Sequence, residues 1–184
     1  NAIGDDKRIG NKYLKLGAMF SGPCFPRDNL NFAQFLKKNK INYSLLRSTD
    51  DLNNIQVNRY LKIFNEEKKK LKKKPIIGLC GLSYKENTLV QTKSPAIEIL
   101  KKLKNKYKIL FHDTNIPMNF NNKKFIKNPK IFFNSTDIIF VCYKNNKFKN
   151  FSSYQTNKKK IIIDLWNFIK SKNKKVFIKK VGIS

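Results

Sequence analysis

Pro75-Ile76-Ile77-Gly78-Leu79-Cys80-Gly81-Leu82 is where the chain changes rhythm. Upstream, apolar residues recur mostly every three or four positions; from Ile76 they run almost without a break. A short apolar run bounded by Pro and Gly reads as a buried strand. The same reading makes strands of residues 107–112, 138–143, 160–164 and 175–178, and a short strand or extended segment of 130–134. Ser94-Pro95-Ala96 opens a helix with proline in its first turn, continued by Ile97, Ile99, Leu100 and Leu103. Strands alternating with helices at this spacing imply a parallel α/β sheet. Ligands of such sheets bind outside the carboxyl ends of the strands, here residues 82–88, 112–114, 143–144 and 164–167.

Working back toward the start, the pattern is helical. Residues 1–21 read as a helix end and a loop. Asp28 is an N-cap candidate for a helix carrying Leu30, Phe32, Phe35 and Leu36, with Lys37, Lys38 and Lys40 near its C-terminal end. Thr49 or Asp50 is expected to cap a longer helix with Leu52, Ile55, Tyr60, Leu61, Ile63 and Phe64 on its apolar side. That helix passes into Glu66-Glu67-Lys68-Lys69-Lys70, read as a solvated end, and Pro75 stops it. No internal repeat or low-complexity linker appears.

Composition sets outer bounds. At 184 residues the chain can bury a real core, and 40% hydrophobic with 12% aromatic residues is globular rather than disordered. The net charge of +28 comes almost entirely from lysine. Together with abundant Asn and Ile, it has the bias that an AT-rich coding sequence produces. The other reading of that charge is attraction to polyanions, and it predicts nucleic-acid affinity that falls steeply with salt. With arginine scarce and no nucleic-acid motif, nucleic acid is not the expected partner. Cys24, Cys80 and Cys142 have no metal-ligand spacing and no pairing pattern, so no metal is expected, and a reducing cytoplasm is the expected compartment. No apolar run is long enough to span a membrane, and no signal peptide is seen. The opening on Asn1 rather than Met is read as a fragment or a truncated gene product.

Chemistry concentrates in Gly22-Pro23-Cys24-Phe25-Pro26-Arg27-Asp28, which places a thiol, a cation and a carboxylate within five residues. Thiolate is the nucleophile, and positive charge or a helix N-terminus nearby favours it. Two prolines restrict the backbone on either side. On these residues alone a buried bystander thiol is an equal alternative.

The neighbours add to this. Arg8-Ile9-Gly10, Tyr13-Leu14, Gly17 and Phe20-Ser21-Gly22-Pro23-Cys24-Phe25-Pro26-Arg27-Asp28 resemble the catalytic-cysteine segment of the UDP-glucose/GDP-mannose dehydrogenase family. Gly78-Leu79-Cys80-Gly81-Leu82-Ser83-Tyr84-Lys85-Glu86-Asn87-Thr88, followed by Ser94-Pro95, resembles its second signature. The resemblance runs over nearly the whole chain and matches the back half of the family's length. It implies the end of a central helical domain with a long dimerisation helix at 1–73. A Rossmann-like, parallel-sheet domain that binds the nucleotide sugar follows at 74–184.

Activity and site residues follow from the resemblance in the same way. Family members oxidise the sugar C6 alcohol to a carboxylate with NAD, through a thiohemiacetal and a thioester on the cysteine. Cys24 matches that nucleophile, and Asp28 matches a carboxylate that organises the hydrolytic water. Tyr13, Lys15, Phe20 and Gly22 match positions that wrap the nucleotide sugar, and Arg27 stands at a Lys/Arg position beside it. Arg8 matches an arginine that reaches the neighbouring subunit's sugar, so a homodimer through the 50–72 helix is expected. Lys85 matches a substrate-contacting lysine. Departures are also visible: Ser21 replaces a glycine, Leu89 an aspartate, and Thr92-Lys93 an arginine that reaches the cofactor pyrophosphate. Lys93 keeps the charge without the bidentate fork. Asp164-Leu165-Trp166-Asn167 lacks the family's arginine, and Trp166 reads as packing. His112, Cys80 and Cys142 sit in apolar strand contexts and read as structural.

No G-x-G-x-x-G follows a leading strand, so these residues lack a dinucleotide fingerprint. No NADH formation is expected from them alone. The alternatives are an inactive fragment that only binds nucleotide sugar or dimerises, and the lysine-driven polyanion binder.

Overall fold

The computed structural model describes residues 2–11, 17–115 and 122–182. Two helices come first, α1 (Phe25–Lys38) and α2 (Ser44–Lys68), packed on each other. An alternating segment follows: β1 (Ile77–Cys80), α3 (Pro95–Leu103), β2 (Ile109–His112), α4 (Pro129–Ser135), β3 (Ile138–Val141), a 3-10 helix (Asn146–Ser152), β4 (Lys160–Asp164) and β5 (Val176–Lys180). The five strands form one parallel sheet in the order β2-β1-β3-β4-β5. From β1 the chain adds β2 on one side and then β3 on the other, so the order of strands switches between β1 and β3, which are parallel, hydrogen-bonded neighbours. The loops leaving those two strands therefore flank the crevice where α/β sheets bind ligands.

Both faces of the sheet are covered, which is why its strands read as continuous apolar runs. On one face Tyr60 and Phe64 of α2 and Ala96, Ile99 and Leu103 of α3 meet Ile77, Leu79, Phe140 and Ile163. On the other, Phe132 and Phe133 of α4 and Phe148 and Phe151 of the 3-10 helix meet Cys80, Ile139, Val141 and Ile162. The long helix is thus the cover of the α/β sheet as well as the partner of α1. Glu67, near its C-terminal end, is buried and pairs with Lys70 at 2.6 Å and with Lys179 of β5 at 3.3 Å.

Several expected boundaries shift. Residues 130–134 are helical, not extended: Asn128 caps the backbone N–H groups of Lys130 and Ile131, and Pro129 fits the first turn. The run there looks strand-like because two large aromatic residues, Phe132 and Phe133, stand side by side after Ile131, and both are buried. The second helix starts at Ser44, ahead of Thr49 and Asp50; Thr49 instead bonds back to the Leu45 carbonyl inside the helix. It ends at Lys68, before Pro75 is reached, and Glu67 is buried where a solvated end was expected. The last strand runs to Lys180, and the 3-10 helix had no counterpart in the periodicity. Asp28 is not the cap of α1, because Pro26 is tolerated inside the first turn and the helix begins earlier, with Cys24 at the N-cap position.

Candidate functional site

Residues 17–24 are held from three directions. From α2, the buried Tyr60 hydroxyl accepts the Met19 N–H at 2.9 Å, and Asn53 Nδ2 donates to the Phe20 carbonyl at 3.0 Å. Burial pushes the Tyr60 hydroxyl up to about 12. From the loop after β1, the Thr92 carbonyl accepts the Gly22 N–H at 2.9 Å, and the Tyr84 ring lies against Gly22. From the loop after β4, the Trp166 ring lies against Gly17, while its indole N–H donates to the Cys142 carbonyl at 3.0 Å. Trp166 is therefore both packing and a wall of this loop.

Cys24 emerges from this clamp exposed, at the N-cap of α1, and its carbonyl accepts the Asp28 N–H at 2.8 Å. Phe25 follows, also exposed, edge-on to Phe20 with ring centroids 4.7 Å apart. Arg27 Nε donates to Asp28 Oδ1 at 2.8 Å with both side chains in solvent. The Asp28 carboxylate, and less strongly the Cys24 sulfur, raise the Arg27 guanidinium above its ordinary value. Thiol, cation and carboxylate thus share the first turn of one helix.

Lys85 follows Tyr84 on the loop after β1, exposed, with its ammonium 5.3 Å from the centre of the Tyr84 ring. Gly22 and Lys85 therefore meet the same ring, so the cysteine loop and the lysine loop form one junction. Tyr84, Thr92, Asn53, Tyr60 and Trp166 are not among the residues that the sequence points to as the site. Tyr84 stands inside the second signature and Trp166 is the single tryptophan, but no local spacing points either at the cysteine loop.

The other expected positions are more dispersed. Arg8 is exposed and paired with Asp6 at 2.6 Å. Tyr13 and Lys15 lie outside the described residues. Cys80 and Cys142 are fully buried on opposite faces of the sheet, and burial pushes both thiols up. His112 is buried beside Phe132, with Nδ1 on the Ile126 carbonyl at 2.8 Å, and burial lowers it. Among the described residues no group of His, Cys, Asp and Glu could hold a metal ion, and no helix is long and apolar enough to cross a membrane.

Lys93, the expected pyrophosphate contact, is exposed in a turn with φ +49°. A dinucleotide cradle needs a glycine-rich turn leading from a strand directly into a helix. Here Ser94 caps α3, accepting the Ile97 N–H at 3.3 Å and donating to the Leu82 carbonyl at 2.7 Å. The described residues do not fit a dinucleotide, and no hydride-transfer step is assigned to them.

Comparisons with known proteins bear on the family and the fold. Residues 78–171 match the UDP binding domain of the UDP-glucose/GDP-mannose dehydrogenase family, and residues 1–55 match that family's central domain. A UDP-glucose 6-dehydrogenase of Rickettsia bellii is 33% identical over 186 residues, covering 92% of this chain and 41% of that protein. The Rickettsia prowazekii enzyme of the same name is 31% identical over 98% of this chain and 43% of its own length. The chain thus spans about two fifths of the length of these relatives. A solved UDP-glucose dehydrogenase from Pyrobaculum islandicum superposes with a TM-score of 0.77 at 21% identity, over 98% of this chain and 41% of that one. A ternary complex of GDP-mannose dehydrogenase from Pseudomonas aeruginosa gives 0.76 at 18% identity, over 96% and 43%. These two likenesses establish the fold.

Proposed function

This chain belongs to the UDP-glucose/GDP-mannose dehydrogenase family, and from that premise we propose that it supplies the cysteine loop and the nucleotide-sugar-binding unit of an NAD-dependent nucleotide-sugar 6-dehydrogenase of the UDP-glucose to UDP-glucuronate type. The observation that carries the reading is the junction at Tyr84. Gly22, two residues before the exposed Cys24, and the ammonium of Lys85 meet that one ring, which joins the loop of the thiol to the loop of the cation.

Lys85 holds the diphosphate of the substrate, and Phe20 with Gly22 walls the sugar. Cys24 adds through its sulfur to the C6 aldehyde, giving a thiohemiacetal. NAD, held mainly outside these residues, would supply the oxidant for both steps, alcohol to aldehyde and thiohemiacetal to thioester, each releasing a proton to solvent, and Lys93 would be its contact in these residues. The thioester left on Cys24 after the second oxidation is cleaved by water held at Asp28, releasing the carboxylate and the free thiol. Arg27 and the N-terminus of α1 stabilise the negative charge that develops on sulfur and oxygen. Tyr13 and Lys15 complete the substrate contacts.

Assembly is proposed on similar grounds. Leu52 and Ile55 of α2 and Leu30, Phe32 and Phe35 of α1 are exposed. A second copy covering them through α2 removes this apolar surface from water and brings Arg8 to the partner's substrate. The division between the two domains falls at 73–74, between α2 and β1.

Titration of the chain with UDP-glucose, combined with iodoacetamide labelling followed by mass spectrometry, tests the function. Binding that is weakened about tenfold in Lys85→Met, with UDP-glucose slowing alkylation of Cys24, is expected. Saturating UDP-glucose that neither binds nor protects Cys24 overturns the reading. Binding without protection favours the reading in which the chain only holds nucleotide sugar.

A further inference from the structure

We propose that Asp113 is the positioning residue of the loop that carries Lys85. The inference rests on the reading of Lys85 as a substrate contact. Asp113 directly follows β2 and is 4% exposed. Its Oδ2 accepts the Leu82 N–H at 2.6 Å, with the Ser83 N–H further off at 3.4 Å. Its Oδ1 accepts the Asn115 N–H at 2.8 Å and the Tyr143 hydroxyl at 2.8 Å. One side chain therefore grips the roots of the loops that leave β1, β2 and β3, on both sides of the crevice.

A carboxylate offers about four acceptor positions, and all of them face the protein here. Nothing remains for a ligand, so Asp113 acts through the loop and does not touch substrate. The donors are informative as well. The chain has 40 Lys and Arg residues, yet among the described residues none forms an ion pair with Asp113. The buried charge is compensated by backbone N–H groups and a hydroxyl instead. Those donors are directional and fixed to the backbone, so they set geometry where an ammonium would supply charge alone.

A second pin lies just beyond Lys85. Asn145 Nδ2 donates to Glu86 Oε1 at 2.8 Å and to Thr114 Oγ1 at 3.1 Å, and Thr114 Oγ1 lies 3.2 Å from the Tyr143 hydroxyl. The Tyr84 N–H donates to the Val90 carbonyl and closes the loop on itself. Tyr84 and Lys85 are the only residues between the Asp113 pin and the Glu86 pin. Asp113→Asn keeps the shape but not the pattern. Whichever way the amide turns, its NH2 meets either the Leu82 and Ser83 N–H groups or the Asn115 N–H.

The test is hydrogen exchange on the whole chain without ligand, alongside UDP affinity. In wild type, the Leu82 amide should exchange as slowly as the amides of β1 although it lies in a loop; exchange at the rate of an open loop overturns the proposal without any variant. In Asp113→Asn, Leu82 and Ser83 should exchange at least about tenfold faster while Ile161–Ile163 keep their protection. Equal acceleration across the sheet means a merely structural role and overturns the proposal. UDP affinity should fall about tenfold in Asp113→Asn and in Lys85→Met, and the double variant should bind no more weakly than Lys85→Met alone. Additive losses overturn the proposal. Unchanged UDP binding in Lys85→Met, with local acceleration in Asp113→Asn, removes the substrate role of Lys85 and leaves Asp113 as the anchor of the loop.

Discussion

The ring of Tyr84 occupies the space that a side chain on Gly22 would need: a β-carbon there would lie 2.8 Å from both Cδ2 and Cε2 of the ring. Gly22 also has φ +98°, a region that residues with a side chain rarely adopt. Backbone conformation and close approach require the same residue for separate reasons, at the point where the cysteine loop meets the α/β sheet.

Gly22→Ala should therefore cost about 1–3 kcal/mol through backbone strain and overpacking against the ring. The effect should centre on the loop. Urea unfolding reads the stability change, and iodoacetamide labelling should show an altered Cys24 rate. Wild-type values in both measurements would mean that Tyr84 yields without effect and that the junction is loose.

Tyr60 carries the next prediction. Tyr60→Phe removes the acceptor of the buried Met19 N–H, which should destabilise the chain by about 1–3 kcal/mol. Its pH dependence has a definite sign. The hydroxyl is held up to about 12 in the fold, against 10.0 when free, because burial disfavours the phenolate. The unfolded chain loses this proton first, so the contribution is complete below pH 10.0 and is lost as the pH climbs to about 12. Melting curves across that window should fall more steeply for wild type than for Tyr60→Phe.

His112 acts on the acid side. Burial lowers it from 6.5, so the unfolded chain takes up the proton more readily than the folded one. Stability from this group is present above pH 6.5 and is lost on acidification through its lowered folded value. His112→Phe keeps an aromatic ring beside Phe132 but gives up the bond to the Ile126 carbonyl. It should start less stable at pH 7 and lose less than wild type between pH 7 and pH 5, as followed by urea midpoints. A parallel decline in both proteins would assign the acid sensitivity to other groups.

Much of the architecture was legible because its signals are local. Every residue of β1, β2, β3 and β4 is buried, so each strand declares itself as an apolar run. Ser94-Pro95 caps α3 as such a pair should. The same logic misled at 130–134, where Ile131-Phe132-Phe133 looks like a strand and the preceding Asn128-Pro129 cap was the better guide. Cys24 stood out through its prolines and charges, whereas the groups that hold its loop did not. Asn53 and Tyr60 sit on α2 among ordinary helical residues, and their partners, Phe20 and Met19, are backbone groups far away in the chain.

From the sequence alone came the alternation of helix and strand, the parallel character of the sheet and the two family signatures, because periodicity and short motifs are properties of neighbouring residues. The tertiary structure alone decided the order β2-β1-β3-β4-β5, the contact of Gly22 with Tyr84 and the convergence of three loops on Asp113. Those depend on which distant groups become neighbours once apolar faces are buried, and on the need of each buried polar group to find a partner there.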